Sequence, residues 1–323
     1  MSTILTVSNI SKAYKKNNIH ALSKLSFECV KCEIVSVVGS SGSGKSTLLK
    51  LIAGLEIPDS GQIILNDNVV NGESIFVQPE NRNCDLVFQD FSLFPNMTIN
   101  DNIYFGKNAP DNKSMIGELI SLTHISDILS RYPHQISGGQ QQRVALVRAL
   151  ANKPSLLLMD EPLSHLDSAL KESVRGELIS ILKTLEITVL IVTHDAEDAL
   201  TMSDKTVVLN QGTLEQFDTP KNVYKYPNSE YAANLFGMTN IIPLKLLPDS
   251  NYFFTQSSTG QDVISVRPHQ IILDHGKKSN SLPEFICQVK KNDEKEEYLS
   301  ICLLYTSDAA DDSLRVDLGG RRI

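Results

Sequence analysis

The sequence predicts an α/β fold in which short apolar strands alternate with helices. Ile34–Val38 and Leu156–Met159 are continuous apolar runs, which is typical of parallel strands covered on both faces. Apolar residues recur at helical spacing from Leu170 to Leu185, and another apolar run follows at Thr188–Val192. Strands that alternate with helices in this way indicate a parallel sheet.

The other predicted elements continue the alternation of strands and helices up to Gly237. In chain order we predict strands at Leu5–Ile10, Leu25–Val30 and Gln62–Leu65, a helix at Ser46–Ala53, a helical region from about Asn100 to Leu150 with breaks at Pro110 and Pro133, and a helix capped by Asp195. After Gly237 turn residues and short strand-like runs replace this pattern. We therefore place a domain boundary there.

Length and composition narrow the class of protein. A chain of 323 residues favours one large and one small domain. A net charge of -8 argues against a nucleic-acid partner, which normally meets a basic surface. No apolar run approaches the ~20 residues that cross a bilayer, and Met1–Ile10 lacks the pattern of a signal peptide. If the protein serves a membrane, we expect another chain to span it.

Cysteine use indicates a reducing compartment. The five cysteines are odd in number and no secretory signal precedes them. Cys29 and Cys32 have the spacing of a metal or redox pair, but a zinc site needs two more ligands at a suitable spacing. We interpret the two as thiols of a strand and a turn.

A phosphate-binding loop follows the strand Ile34–Val38. Its pattern is a glycine, four residues, then Gly-Lys-Ser, and it comprises Gly39, Ser40, Ser41, Gly42, Ser43, Gly44, Lys45, Ser46 and Thr47. Glycines let successive N–H groups point at phosphate oxygens, and the following helix adds its positive dipole end. Lys45 supplies a cation for the phosphates, and the Ser46 hydroxyl is a ligand for Mg²⁺. The loop predicts nucleotide binding.

Two further segments narrow the family. Ser137, Gly138, Gly139 and Gln140 follow Ile136 and precede a helix, and the strand Leu156–Met159 ends in Asp160 and Glu161. With these motifs in order, the chain over about residues 1–237 resembles the ATPases of ABC transporters, whose signature Leu-Ser-Gly-Gly-Gln differs here only at Ile136. The resemblance implies an ABC-type P-loop fold with a helical subdomain at about residues 95–150.

The resemblance also implies roles for single residues. Tyr14 is similar to the aromatic residue that stacks on adenine. Gln89 is similar to the glutamine that reaches Mg²⁺ and the attacking water, and Asp160 to the carboxylate that holds Mg²⁺. Glu161 is implied as the general base, and His194 as the residue that contacts the γ-phosphate and positions the water. ATP and Mg²⁺ are thus the implied substrate and cofactor.

The resemblance further implies a shared active site. In this family the signature residues Ser137–Gln140 close over ATP held by a second copy, in a head-to-tail dimer. The segment from Gly106 to Ser130 is implied to dock on integral-membrane permease subunits at the cytoplasmic face, with a solute-binding protein as an indirect partner.

Two positions depart from the family pattern. Cys32 occupies a turn where relatives usually carry glycine, and a positive φ there costs roughly 1 kcal/mol. His165, in the loop Ser164–Asp167 that links the two active sites, stands where alanine is usual. We expect a small stability effect from Cys32, and His165 could alter communication between subunits.

The cargo is inferred from resemblance alone. The segments Phe76–Arg82, Leu86–Pro95, Phe236–Asn240 and Val266–His269 resemble the ferric-ion importer group most closely, and the last two mark a small C-terminal β-domain. We therefore expect ferric iron as cargo, with polyamine as the alternative. The other class considered is a soluble ABC protein acting on ribosomes or DNA, although such relatives carry two ATPase modules or a long coiled coil.

Residues 302–323 have an unusual composition. A reverse translation of Cys302–Asp311 can reproduce a transposase sequencing adapter, and the residues after a short gap fit the rest of it. We therefore interpret 302–323 as non-native read-through, which leaves 238–301 as a partial C-terminal β-domain. A genuine acidic strand and turn is the alternative.

Overall fold

The computed structural model describes most of the chain up to Pro243 and separate short segments beyond it. The described residues are 2–14, 19–164, 168–237, 239–243, 255–256, 260, 262–266, 271–274, 285–290, 296–303 and 316–317. The chain divides into two compact units, Met1–Lys225 and Tyr226–Ile323. The domain limits given above, with the boundary at Gly237, stay predictions.

The first unit contains ten strands and seven α-helices among its described residues. The strands are β1 (Thr3–Tyr14), β2 (Ile19–Val30), β3 (Ile34–Val38), β4 (Ser60–Leu65), β5 (Asn68–Asn71), β6 (Cys84–Val87), β7 (Leu156–Asp160), β8 (Thr188–Thr193), β9 (Lys205–Asn210) and β10 (Thr213–Asp218). The helices are α1 (Lys45–Ala53), α2 (Ile99–Ile103), α3 (Lys113–Leu122), α4 (Gly138–Leu150), α5 (Ser168–Thr184), α6 (Ala196–Met202) and α7 (Pro220–Lys225). The predicted alternation of strands and helices is confirmed.

A six-stranded sheet organises this unit. Its order is β10-β9-β3-β8-β7-β6, and all neighbours are parallel except β9 and β10. The carboxyl ends of β3, β8, β7 and β6 therefore lie along one edge, where open α/β sheets bind ligands. A second, antiparallel sheet has the order β2-β1-β4-β5.

Alternation along the parallel strands produces two hydrophobic cores. On β7, Leu156 and Leu158 pack into one core with α1 and the antiparallel sheet, whereas Leu157 and Met159 pack into the other with α2, α3, α4 and α5. Successive side chains of a strand point to opposite faces, so an apolar run is needed to fill both. Each fully buried leucine contributes roughly 1.5–3 kcal/mol.

The second unit contains one helix and seven strands in its described segments. They are α8 (Glu230–Leu235), β11 (Asn240–Pro243), β12 (Thr255–Gln256), β13 (Asp262–Val266), β14 (Ile271–Asp274), β15 (Phe285–Lys290), β16 (Glu296–Leu303) and β17 (Val316–Asp317). Two antiparallel sheets result, β11-β13-β12 and β14-β15-β16-β17. β17 pairs with Cys302 and Leu303. Residues 304–315 and 318–323 of the segment interpreted as read-through lie outside the described residues.

Four expectations from the sequence can be compared directly with the structure. β3 has the predicted bounds, whereas β1 extends to Tyr14 because its last residues pair with β2. Cys32 has a φ of 62°, so the positive φ on which its expected stability cost depends is present. Within the described ranges, none of the helices has the length and apolar composition to cross a membrane.

Candidate functional site

The phosphate loop connects the buried strand β3 to α1. Gly44 precedes the helix with a φ of 103°, and a Cβ there would lie 2.3 Å from the Ala21 carbonyl oxygen. Only glycine fits both demands. No side chain caps α1 at Gly44. The first N–H groups of the helix, which have no partner within it, thus open onto the loop.

Lys45 is folded into its own loop. Its side chain is buried, and Nζ donates to the carbonyl oxygens of Gly39 at 2.8 Å and Ser40 at 2.9 Å. Burial lowers the pKa of Lys45, while the charges of Glu161 and Asp160 oppose that shift. A poorly solvated ammonium group held by carbonyl oxygens is ready to exchange them for anionic phosphate oxygens.

Asp160 ends β7 beside the start of α1. The Ser46 hydroxyl donates to Asp160 Oδ1 at 3.5 Å. Burial and the adjacent charge of Glu161 raise the pKa of Asp160, against the hydrogen bond from Ser46. A hydroxyl and a carboxylate facing each other are hard oxygen ligands of the kind Mg²⁺ prefers.

Glu161 adopts a backbone conformation that is uncommon for a side chain of its type. Its φ is 46°, and its N–H donates to the Val192 carbonyl at 2.8 Å. Left-handed backbone at a non-glycine residue costs about 1 kcal/mol or more and often marks a functional site. The bond to β8 holds the carboxylate at the sheet edge.

Gln89 and His194 converge on the Glu161 carboxylate. Gln89 Nε2 lies 3.4 Å from Glu161 Oε2 and 3.3 Å from Ser164 Oγ, and His194 Nδ1 lies 3.0 Å from Glu161 Oε1. The His194 side chain is 59% exposed, so its ring is open to a ligand. A carboxylate between an amide and an imidazole can orient a water molecule and accept its proton. The linker residues 165–167 lie outside the described residues.

Tyr14 lies next to the end of the phosphate loop. Its hydroxyl donates to Glu56 Oε2 at 2.5 Å and is 3.4 Å from Thr47 Oγ1. Burial and the hydrogen bond to Glu56 raise the pKa of Tyr14. The sequence predicts Tyr14 but not Glu56, because a carboxylate in a turn carries no signal for a distant phenol.

The start of α4 is a second place where N–H groups face outward. Ser137 Oγ accepts from the Gln140 N–H at 3.3 Å, and Gln140 Oε1 accepts from the Ser137 N–H at 3.0 Å. This reciprocal pair is a capping box. Ser137 and Gly138 are exposed and available to another molecule.

The predicted Mg²⁺ ligands fit the ion in part. The oxygens of Ser46 and Asp160 suit Mg²⁺, which binds through few protein groups and otherwise through phosphate and water oxygens. The Gln89 amide nitrogen faces Glu161 and Ser164 instead of Ser46 or Asp160.

A phosphate loop between a buried parallel strand and a helix, with a neighbouring strand that ends in two carboxylates, defines the class: a P-loop nucleoside triphosphatase. The family profile "ABC transporter" matches residues 22–164. The spermidine/putrescine import ATP-binding protein of Clostridium acetobutylicum is 39% identical over 83% of this chain and 79% of its own length. An Fe(3+) ions import ATP-binding protein of Haemophilus influenzae is 38% identical over 76% of this chain and 70% of its own length.

A solved structure agrees with these relatives. A dimeric ATP-binding cassette in a post-hydrolysis state with ADP and Pi is 29% identical, covers 67% of this chain and 99% of its own, and has a TM-score of 0.57. The chain therefore belongs to the ABC transporter family, as an ATP-binding subunit of the importer type. It is an ATPase, and the fold predicted from the sequence is confirmed.

Proposed function

We propose that two copies of this chain close head to tail around two ATP molecules and hydrolyse them to drive solute uptake through membrane permease subunits. The observation that carries the proposal is the convergence of Gln89 and His194 on Glu161 beside the phosphate loop. The similar solved structure supports the assembly because it is dimeric, and it supports nucleotide hydrolysis because it holds ADP and Pi.

Nucleotide binding uses the loop from Gly39 to Thr47. Its N–H groups and Lys45 hold the phosphates, and the ring of Tyr14 stacks on adenine while Glu56 and Thr47 hold its hydroxyl. Ser137, Gly138, Gly139 and Gln140 of the second copy close over the γ-phosphate. The exposed start of α4 suits this role, because helix N-termini bind anions.

Hydrolysis uses the groups around Glu161. Its carboxylate accepts the proton of the attacking water, while Gln89 and His194 orient that water and His194 also contacts the γ-phosphate. Ser46 and Asp160 would hold Mg²⁺, with Gln89 turned toward them. When bound, Mg²⁺ neutralises charge that develops on the phosphate oxygens.

The remaining parts connect the ATPase to transport. We propose that residues 1–237 form the nucleotide-binding domain and that the helical subdomain at about residues 95–150 docks on the permease at the cytoplasmic face. Residues from 238 to 301 belong to a β-domain of the importer type, and a solute-binding protein delivers cargo from the other side.

For the cargo we propose ferric iron, with polyamine as the alternative. The segment Phe76–Arg82 and the relative from Haemophilus influenzae support iron, whereas the relative from Clostridium acetobutylicum supports polyamine at nearly the same identity. An ATPase does not contact the cargo, so relatives with different cargoes share this chain's features. Binding of Fe³⁺ or spermidine to the solute-binding protein encoded beside this gene separates the two.

Purification with the native partners tests the transport role. We expect a tagged chain to co-isolate with two integral-membrane subunits and to hydrolyse ATP faster in that complex. Co-isolation with ribosomes instead would contradict the proposal and favour the soluble class of ABC protein.

A further inference from the structure

A buried ion pair joins α5 to α6 directly behind the candidate active site. Arg175 Nε lies 2.9 Å and its second terminal nitrogen 2.8 Å from Asp198 Oδ1. The two side chains are 8% and 6% exposed. A charge pair removed from water to this extent holds its members in one geometry, since breaking it leaves an uncompensated buried charge.

Further contacts extend the pair into a network. Lys171 Nζ lies 3.1 Å from Asp198 Oδ2 and also bonds Asp195, while Arg175 reaches Glu197 Oε1 at 2.9 Å. Burial opposes the ionisation of Asp195, but the bonds from Lys171 and from backbone N–H groups outweigh it and lower its pKa. The bonds from Lys171 therefore favour the ionised form of Asp195.

The network includes the residues on both sides of His194. Thr193 Oγ1 donates to Asp198 Oδ2 at 3.4 Å and accepts from the Asp195 N–H at 3.0 Å. Asp195 Oδ1 accepts from the Glu197 N–H at 2.8 Å, which caps α6. The backbone of His194 is therefore fixed on each side, while its ring extends outward to Glu161.

We propose that Arg175 and Asp198 are positioning residues for His194, which hold its imidazole at the distance from Glu161 that hydrolysis requires. The inference rests on the role of His194 under the proposed function. It adds that α5, which begins just after the predicted linker between the two active sites, is coupled to His194 by this ion pair. A shift of α5 then moves the imidazole.

The first test compares Asp198→Asn with a matched control on the same helix. Glu177→Gln removes the ion pair Arg143–Glu177, whose atoms lie 2.5 Å apart on the exposed side of α5. We expect Asp198→Asn to lower kcat about 10-fold with KM changed less than about twofold, because small misplacement of a catalytic group is costly. Glu177→Gln should keep the wild-type kcat. An unchanged kcat in Asp198→Asn would overturn the proposal.

The second test asks whether the effect passes through His194. In a His194→Ala background, Asp198→Asn should cause no further loss of kcat, because residues that act through one group are not additive. Equal loss in both backgrounds would show a general structural role and overturn the proposal.

A third readout does not depend on turnover. In protein with ¹³C-labelled histidine, the His194 ring signal, assigned with His194→Ala, should shift in Asp198→Asn and stay in place in Glu177→Gln. The paired variant Arg175→Met/Asp198→Leu, which leaves no buried charge unpaired within the Arg175–Asp198 pair, should shift it as well. An unmoved signal in both variants contradicts the proposal. Absence of ATP hydrolysis in the wild-type protein would instead contradict the proposed function.

Discussion

The helices α1 and α4 both begin where backbone N–H groups can bind phosphate, but the two beginnings are prepared differently. α1 begins after Gly44 without a side-chain cap and carries the buried Lys45. α4 begins with a reciprocal capping box between Ser137 and Gln140.

The difference lies in what surrounds each helix start. The start of α1 lies beside Asp160, with Glu161 and its partners at the same sheet edge, so it has the groups that hydrolysis needs. At the start of α4 the capping box bonds the N–H groups of Ser137 and Gln140, and the exposed Ser137 and Gly138 are accessible to another molecule. Under the proposed function, one copy therefore supplies a binding and catalytic half to one active site and a covering half to the active site of another copy.

The largest expected effect concerns the catalytic half. Glu161→Gln should lower kcat by at least about 100-fold, the scale of a lost general base, while ATP binding remains. Dimers should then accumulate with ATP, as measured by size-exclusion chromatography. Turnover near the wild-type rate would remove Glu161 from this role. The start of α1 would then lack the general base that distinguishes it from the start of α4.

The ATP affinity of the isolated monomer shows which of the two helix starts binds nucleotide within one copy. Lys45→Ala should weaken ATP binding about 10-fold or more, because a charge-assisted hydrogen bond contributes about 1.5–3 kcal/mol. Ser137→Ala should leave monomer binding unchanged, although the lost cap costs about 1 kcal/mol of stability. Fluorescent-nucleotide titration measures both. Equal weakening would place Ser137 in its own copy's site.

The partly buried charge of Asp160 in the catalytic half should lower the stability of the folded protein. The raised pKa of Asp160 means that the folded protein binds this proton more tightly than the unfolded chain. Ionisation of Asp160 is therefore less favourable in the folded protein than in the unfolded chain. The stability that the bound proton gives the fold is lost as pH rises through the folded-state pKa. Asp160→Asn should raise the melting temperature without nucleotide by about 1–2 °C at neutral pH, and by less in acid, because the site is partly exposed. A lower melting temperature at neutral pH would contradict this.

Cys32 lies outside both halves and gives the smallest effect on catalysis. Cys32→Gly relieves the left-handed backbone but loses the thiol hydrogen bond to the Glu186 carbonyl at 3.1 Å. The net gain should be at most about 1 kcal/mol, or about 2–4 °C in melting temperature, with kcat unchanged. Lys31→Gly, at a position without positive φ, should not stabilise the protein. Stabilisation by both would refute the backbone explanation.

The sequence predicts the strands of the sheet better than the side-chain contacts that complete the candidate site. β3 and β7 are recognisable because strands covered on both faces must be apolar throughout. The end of β1 at Tyr14 carries no such signal, since Ser11–Tyr14 mix polar and apolar residues that are all partly buried. The hydrogen bond from Tyr14 to Glu56 and the ion pair between Arg175 and Asp198 join residues far apart in the chain, and only the fold brings them together.

Mixing two inactive variants tests the shared site most directly. Lys45→Ala disables the phosphate loop and Ser137→Arg blocks the covering half, so each variant alone should be inactive. Hybrid dimers contain one intact site, made from the Lys45 of one copy and the Ser137 of the other. An equal mixture should recover about a quarter of wild-type ATPase activity, because about half of the dimers are hybrid. Activity no higher than the sum of the two separate preparations would contradict a site shared between two copies.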